Sequence, residues 1–271
     1  MRAACRAAKR EGKTLGFVPT MGALHEGHLS LMRAAKEECG VVAASIFVNP
    51  TQFGPNEDYS KYPRTLERDA AMLQASGVDM LFTPTADEMY PKGAVTFVEV
   101  GGLSERLCGK FRPGHFRGVA TVVNKLFHII EPDVAYFGQK DAAQCAVIKR
   151  MVHDLDMPVR IEVCAIVREA DGLAMSSRNA YLTPEQRVQA LVLWRSLQHV
   201  QELFAKDEKN STRLIATANE IFSKEPAVQL EYIEIVDAES LELVPIALKG
   251  TLVAVAVKVG GTRLIDNILL D

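Results

Sequence analysis

Nowhere in the 271 residues does an apolar run approach the roughly 20 residues that a membrane-spanning helix needs, so no membrane partner is expected. Positive charge is not in excess either: 31 Lys and Arg stand against 34 Asp and Glu, a formal net charge of -3. A chain that grips a phosphate backbone carries the opposite imbalance, which disfavours DNA or tRNA as a partner. Paired cysteines are missing as well. Cys5, Cys39, Cys108, Cys145 and Cys164 are odd in number, widely spaced and never form C-x-x-C, a usage that fits a reducing cytoplasm. The stretch from Met1 to Gly12 is broken by Arg2, Arg6, Lys9, Arg10 and Glu11, so it does not read as a signal peptide. Repeats and low-complexity tracts are also lacking.

What is present is the composition of an ordinary globular protein, long enough for one large domain or two unequal ones. From Thr14 onward short β-rich runs alternate with helical patterns. Strands are expected at 15–19, 41–48, 80–82, 134–137 and 159–167, and helices at 29–39, 64–75, 118–130 and 142–154. The run from Val41 to Val48 is almost wholly apolar, as befits a parallel strand covered on both faces. This rhythm implies an α/β fold, a Rossmann-like doubly wound parallel sheet. After Ser177 the pattern changes. Thr183-Pro184-Glu185 opens a helix expected to run to about Phe204, a second helix spans 211–223, and β-type runs follow at 229–236, 252–259 and 262–265. Gly260-Gly261 is a two-residue hairpin signal. The expected division is therefore residues 1–176, a Rossmann-like domain, and 177–271, a smaller C-terminal α+β domain.

Three constellations carry chemistry. Pro19 to His28 lies where the first strand gives way to the first helix, the edge at which open α/β sheets bind ligands. His25 and His28 share one side of that turn, and the backbone at a helix start favours anions. Two solvated histidines account for an isolated H-x-x-H equally well, and a zinc reading lacks both H-E-x-x-H and a neighbouring cysteine. Met175-Ser176-Ser177-Arg178-Asn179 offers two hydroxyls and a guanidinium to phosphate oxygens, or is a solvated interdomain loop. Gly138-Gln139-Lys140-Asp141, directly after a strand, offers a point charge, or is a charged helix start.

Together, the histidine turn and the M-S-S-R loop resemble the nucleotidyltransferase superfamily, which includes class I aminoacyl-tRNA synthetases. Six runs in order, P-T-M-G-A-L-H-E-G-H, F-V-N-P-T-Q-F, D-Y-S-K-Y-P-R-T, P-G-H-F-R-G-V, F-G-Q-K-D-x-x-Q and M-S-S-R-N, narrow the resemblance to the pantoate–β-alanine ligases. That family commonly carries Glu where Gln139 stands.

The resemblance implies an ATP-dependent acid–amine ligase, a cytoplasmic homodimer whose substrates are ATP, pantoate and β-alanine. Pantoate would attack the α-phosphorus to give pantoyl-adenylate and pyrophosphate, and the β-alanine amine would displace AMP, in the route to pantothenate and coenzyme A. It implies ATP binding by Met21, Gly22, Ala23, Leu24, His25, Glu26, Gly27 and His28, by Gly138, Gln139, Lys140 and Asp141, and by Val167, Met175, Ser176, Ser177 and Arg178. His28 and His25 would act on the phosphates and Lys140 and Arg178 would balance their charge, which makes these four the catalytic set. Gln52 would meet both pantoate and β-alanine, and Gln144 would hold pantoate. An amide that donates and accepts suits a small hydroxy acid. Mg²⁺ would accompany ATP through phosphate oxygens and water, and no protein metal ligand is assigned. Asn49, Tyr62, Arg112 and His115 would shape the pocket. Asp69 reads as an ordinary solvated helix residue with a supporting acid role as the alternative. The 177–271 domain would act as a lid. Two rivals stay open, another nucleotidyltransferase and a non-catalytic nucleotide-binding regulator.

Overall fold

In the computed structural model, which describes residues 1–55 and 57–271, the apolar runs of the first half become strands of one parallel sheet. From the N-terminus the elements are α1 (Arg2–Arg10), β1 (Leu15–Thr20), α2 (Glu26–Glu38), β2 (Val41–Ile46), α3 (Leu66–Ala75), β3 (Met80–Phe82), α4 (Ala86–Met89), α5 (Cys108–Phe111), α6 (His115–Ile130), β4 (Val134–Gly138), α7 (Ala142–Asp154) and β5 (Arg160–Cys164). The second half adds α8 (Pro184–Gln189), α9 (Val192–Ala205), α10 (Ser211–Phe222), β6 (Val228–Val236), β7 (Leu252–Val259) and β8 (Thr262–Leu269). Contacts divide the chain into two compact units.

The first unit comprises Met1–Glu105, Gly109–Gly138 and Val147–Ala165. Its five strands lie in the order β3-β2-β1-β4-β5, every pair parallel. The order steps outward from β1 to β3 and then returns to the other side of β1, so the reversal falls between β1 and β4. Ligands of open α/β sheets bind outside the carboxyl ends of strands at such a reversal. Alternate residues of β1 serve opposite faces, as the two-residue period requires. Val18 joins Leu31, Met32 and Ala35 of α2 and Leu73 of α3 in one core. Phe17 turns the other way to meet Phe127 of α6 edge-on at 6.4 Å, and Phe127 meets Phe137 at the same distance. Helix α1 had no counterpart among the expected elements. Its buried residues are only Cys5 and Ala8, too small to write an apolar stripe, and Arg6 and Lys9 tie it down through Glu131 and Asp133.

The second unit comprises Arg106–Cys108, Gln139–Ala146 and Ile166–Asp271. It begins earlier than the 176/177 boundary read from the sequence, because β8 holds the turn at residues 139–140 and also Arg168. The strand expected at 159–167 accordingly ends at Cys164, and the chain beyond pairs Arg168 with Ala174 instead. Strands β6, β7 and β8 form an antiparallel sheet in that order. Gly260 and Gly261 both take positive φ, 52° and 87°, the two left-handed residues of a tight hairpin. The single helix expected from 184 to about 204 is two, α8 and α9. Leu191 and Leu193 bond back three residues, to Val188 and Ala190, so the backbone tightens rather than turning away. Leu193, Leu197 and Val200 of α9 and Leu214 and Ala218 of α10 cover one face of the sheet against Ile233, Val253, Val255 and Val257.

Candidate active site

At the carboxyl end of β1, Thr20 donates from Oγ1 to the Ser45 carbonyl at 2.7 Å and accepts from the Gly22 N–H. Gly22 and Ala23 both have positive φ, 82° and 51°, and for Ala23 that conformation is strained. Asp69 maintains it. Its carboxylate accepts from the Ala23 N–H at 2.8 Å, the Leu24 N–H at 3.0 Å and the Thr65 hydroxyl at 3.1 Å. Asp69 is fully buried, which corrects its reading as a solvated helix residue. It is aspartate because two converging N–H donors need two acceptor oxygens. Leu24, also buried, anchors the turn in the core.

His25 is the N-cap of α2. Its Nδ1 accepts from the Gly27 N–H at 3.1 Å, while Nδ1 of His28 accepts from the His25 N–H at 3.4 Å, a reciprocal capping box built from two imidazoles. A ring nitrogen that accepts from an N–H carries no proton, so in both neutral rings the proton is on Nε2. The ring centroids lie 4.1 Å apart. The box therefore fixes two N–H donors side by side at a helix start, an arrangement that suits phosphate oxygens.

Gln52 lies in a 3-10 turn, Pro50–Gln52, capped by Asn49. Its Oε1 accepts from Asn49 Nδ2 at 3.0 Å, and its Nε2 lies 3.0 Å from the sulfur of Met21. Asn49 is buried and accepts from the Tyr90 and Thr51 hydroxyls. The Gln52 carbonyl takes Arg112 Nη2 at 3.1 Å and His115 Nδ1 at 2.8 Å. His115 thus has its proton on Nδ1, and its Nε2 meets Arg112 at 3.0 Å, the opposite tautomer to His25 and His28. Helix α6 packs on this turn so closely that a Cβ at Gly118 would stand 2.3 Å from the Thr51 carbonyl oxygen. Glu57 completes the support, bonding Arg112 at 2.7 and 2.5 Å. Burial alone would raise the Glu57 carboxyl, but the Arg112 hydrogen bonds and charge outweigh it and hold it below the ordinary carboxylate range.

In the second unit, Gln139–Asp141 is a 3-10 turn leading into α7. Asn267 of β8, itself buried, donates to the Gln139 and Lys140 carbonyls at 3.0 and 2.9 Å. A hairpin brings Val167 opposite Met175, whose N–H bonds the Val167 carbonyl at 3.0 Å. Ser176 then caps the turn Ser177–Tyr181 by accepting from the Arg178 N–H, and Asn179 ties that turn to Glu169 and the Ala174 carbonyl. Lys140, Ser176, Asn179 and Asp266 line one small cleft.

The profile of the family described as pantoate-beta-alanine ligase matches residues 1–269. The chain belongs to that family. The pantothenate synthetase of Acidobacterium capsulatum is 61% identical over 258 residues, covering 95% of this chain and 86% of that protein. That of Koribacter versatilis is 57% identical over 271 residues, 100% of this chain and 93% of that protein. A crystal structure of pantothenate synthetase from Thermus thermophilus shares the fold with a TM-score of 0.94 at 47% identity, covering 99% of this chain and 97% of that one. The ligase from Francisella tularensis, solved in complex with beta-gamma ATP and beta-alanine, matches with a TM-score of 0.79 at 39% identity, covering 96% of this chain and 90% of that one.

In this pantoate–β-alanine ligase the residues singled out from sequence fall into distinct groups. Met21 touches Gln52, His25 touches His28, Val167 pairs with Met175, and Lys140 shares a cleft with Ser176. Gln144 is half-buried in the first turn of α7, Asp141 is exposed, and Glu26 is exposed and paired with Arg33. Asn49, Arg112 and His115 converge on residue 52, and Tyr62 packs its ring near Phe53. Sequence reasoning passed over Arg168, Asp266 and Asn267. The available signal was Asp-Asn inside a run otherwise rich in strand formers, where both residue types are disfavoured.

Proposed function

We propose that the chain joins pantoate to β-alanine with ATP through a pantoyl-adenylate, releasing pyrophosphate and AMP. The observation that carries this reading is the histidine capping box at the carboxyl end of β1, in a chain of this ligase family. In the first half-reaction a pantoate carboxylate oxygen attacks the α-phosphorus and pyrophosphate leaves. In the second, the β-alanine amine attacks the acyl carbon and AMP leaves, a much better leaving group than the oxide of a free carboxylate.

His25 and His28 donate from Nε2 to phosphate oxygens as charge develops on them, and the helix start at Glu26 to His28 adds its dipole. Lys140 and Arg178 balance the remaining phosphate charge, and Ser176 and Ser177 donate hydrogen bonds. Met21 to Leu24, Gly138, Asp141, Val167 and Met175 complete the nucleotide contacts, with Gln139 contributing its backbone while its side chain is held by Asn267. Gln52 is held by Asn49 and Met21 in one orientation, ready to meet pantoate and then β-alanine, and Gln144 holds pantoate. Mg²⁺ would accompany ATP and supply charge neutralisation on its phosphates, and no protein residue is assigned to hold it. A cytoplasmic homodimer is the proposed state, in keeping with five free thiols.

Product analysis tests the reading. With ATP, pantoate and β-alanine the protein should form AMP, pyrophosphate and the amide in equal amounts. ADP in place of AMP would contradict it, and nucleotide binding without turnover would favour the regulator.

A further inference from the structure

Asp266 and Asn267 are consecutive in β8 and both 2% exposed, although neighbours in a strand face opposite ways. Each is buried against a different partner. The Asp266 carboxylate takes Arg168 in a two-pronged bond, at 2.6 and 3.0 Å, and Arg168 also bonds the Asn267 carbonyl at 3.3 Å while lying 3.8 Å over the Trp194 ring. Asp266 Oδ1 accepts the Asn267 N–H at 2.7 Å. On the other side, the Asn267 amide directs both donors to the Gln139 and Lys140 carbonyls and accepts from Gln139 Nε2 at 3.0 Å. Two carbonyls facing one amide admit only the orientation in which Nδ2 points at them. The backbone on either side of the Lys140 Cα is thus bolted to a strand more than 120 residues away in sequence, and that strand is bolted in turn to the start of the hairpin that leads to Ser176.

The geometry points to Asn267 as a positioning residue for Lys140. It sets the direction in which the lysine stem leaves its turn, and Asp266 with Arg168 holds Asn267 in place. The inference rests on the reading above in which Lys140 meets ATP phosphates. It does not require Asn267 to touch nucleotide.

Binding of a non-hydrolysable ATP analogue, measured by calorimetry on the whole enzyme, separates the two claims. Lys140→Met should weaken binding about tenfold or more; an unchanged Kd would sink the lysine reading itself. Asn267→Ser should weaken it about fivefold to tenfold, the scale of one or two oriented hydrogen bonds, with the KM values of pantoate and β-alanine unaltered. The deciding variant is the double one. If Asn267 acts through Lys140, Lys140→Met/Asn267→Ser should bind no more weakly than Lys140→Met alone. Multiplied losses, or an Asn267→Ser protein with unchanged Kd, would overturn the proposal. Should Asn267→Ser fail to fold, Gln139→Ala removes only the side-chain half of the pairing. It should give a loss of about twofold to fivefold that vanishes in the Lys140→Met background, and an unchanged or multiplied Kd there would overturn the proposal equally.

Discussion

The two proposed phosphate-facing turns are held in opposite ways. The turn after β1 is capped by its own neighbours, His25 bonding Gly27 and His28 bonding His25, all within four residues. The turn after β4 is a short 3-10 turn whose Gln139 and Lys140 carbonyls are also held by Asn267 from the far end of the chain. The first is a motif because the groups that do the chemistry also build the structure. The second also forms a run, F-G-Q-K-D-x-x-Q, but part of its positioning has been handed to a remote strand that the run does not reveal.

The largest expected effect separates chemistry from structure in the local turn. His28→Ala or His25→Ala should lose about 100- to 1,000-fold in kcat, the scale for a preorganised donor. His25→Asn and His28→Gln keep an acceptor where Nδ1 stood but have no Nε2–H. Both should cap α2 and leave stability within about 1 kcal/mol, since Asn is a good N-cap and Gln completes a capping box. Their kcat should fall as far as that of the alanine variants. Full activity in His25→Asn would mean that the cap, not the donor, is what the reaction uses.

Asp69 is a remote contribution to that turn, so it sharpens the contrast. Asp69→Asn places an NH₂ group against a backbone N–H and should destabilise the fold by about 1–3 kcal/mol, measured by urea denaturation, while raising the ATP KM. Adding Ala23→Gly, which relieves the left-handed strain at that residue, should recover part of the ATP KM. No recovery would mean that Asp69 acts elsewhere.

These contrasts explain what could be read from the sequence. The positions along the chain of the sheet strands, the parallel character of the first sheet, the glycine hairpin at 260–261 and the histidine turn were legible because each is written in adjacent residues by period, propensity or spacing. Asp69 was misread because a single aspartate in a helix looks solvated until its two N–H partners, more than 40 residues back, are known. Asn267 was missed for the same reason, with a longer separation. Helix α1 escaped because its buried face is Cys5 and Ala8. The break between α8 and α9 escaped because it is a tightening of the backbone, with no Gly or Pro to mark it.

The smallest effect concerns the scaffold under Gln52. Glu57 titrates lower in the folded protein than in the unfolded chain, where a glutamate titrates near about pH 4.3. Its contribution to stability is therefore complete above that value and lost as pH falls through the lower folded value. Glu57→Gln should flatten the acid limb of the urea midpoint against pH, with little effect on ATP binding. An unchanged slope would remove the Arg112–Glu57 pair from the account.

The adenylate is the central claim, and isotope exchange tests it most directly. With ATP, pantoate and labelled pyrophosphate but no β-alanine, label should enter ATP, because adenylate formation is reversible and needs no amine. Omitting pantoate should abolish the exchange. Exchange that requires β-alanine, or that proceeds without pantoate, would contradict the mechanism.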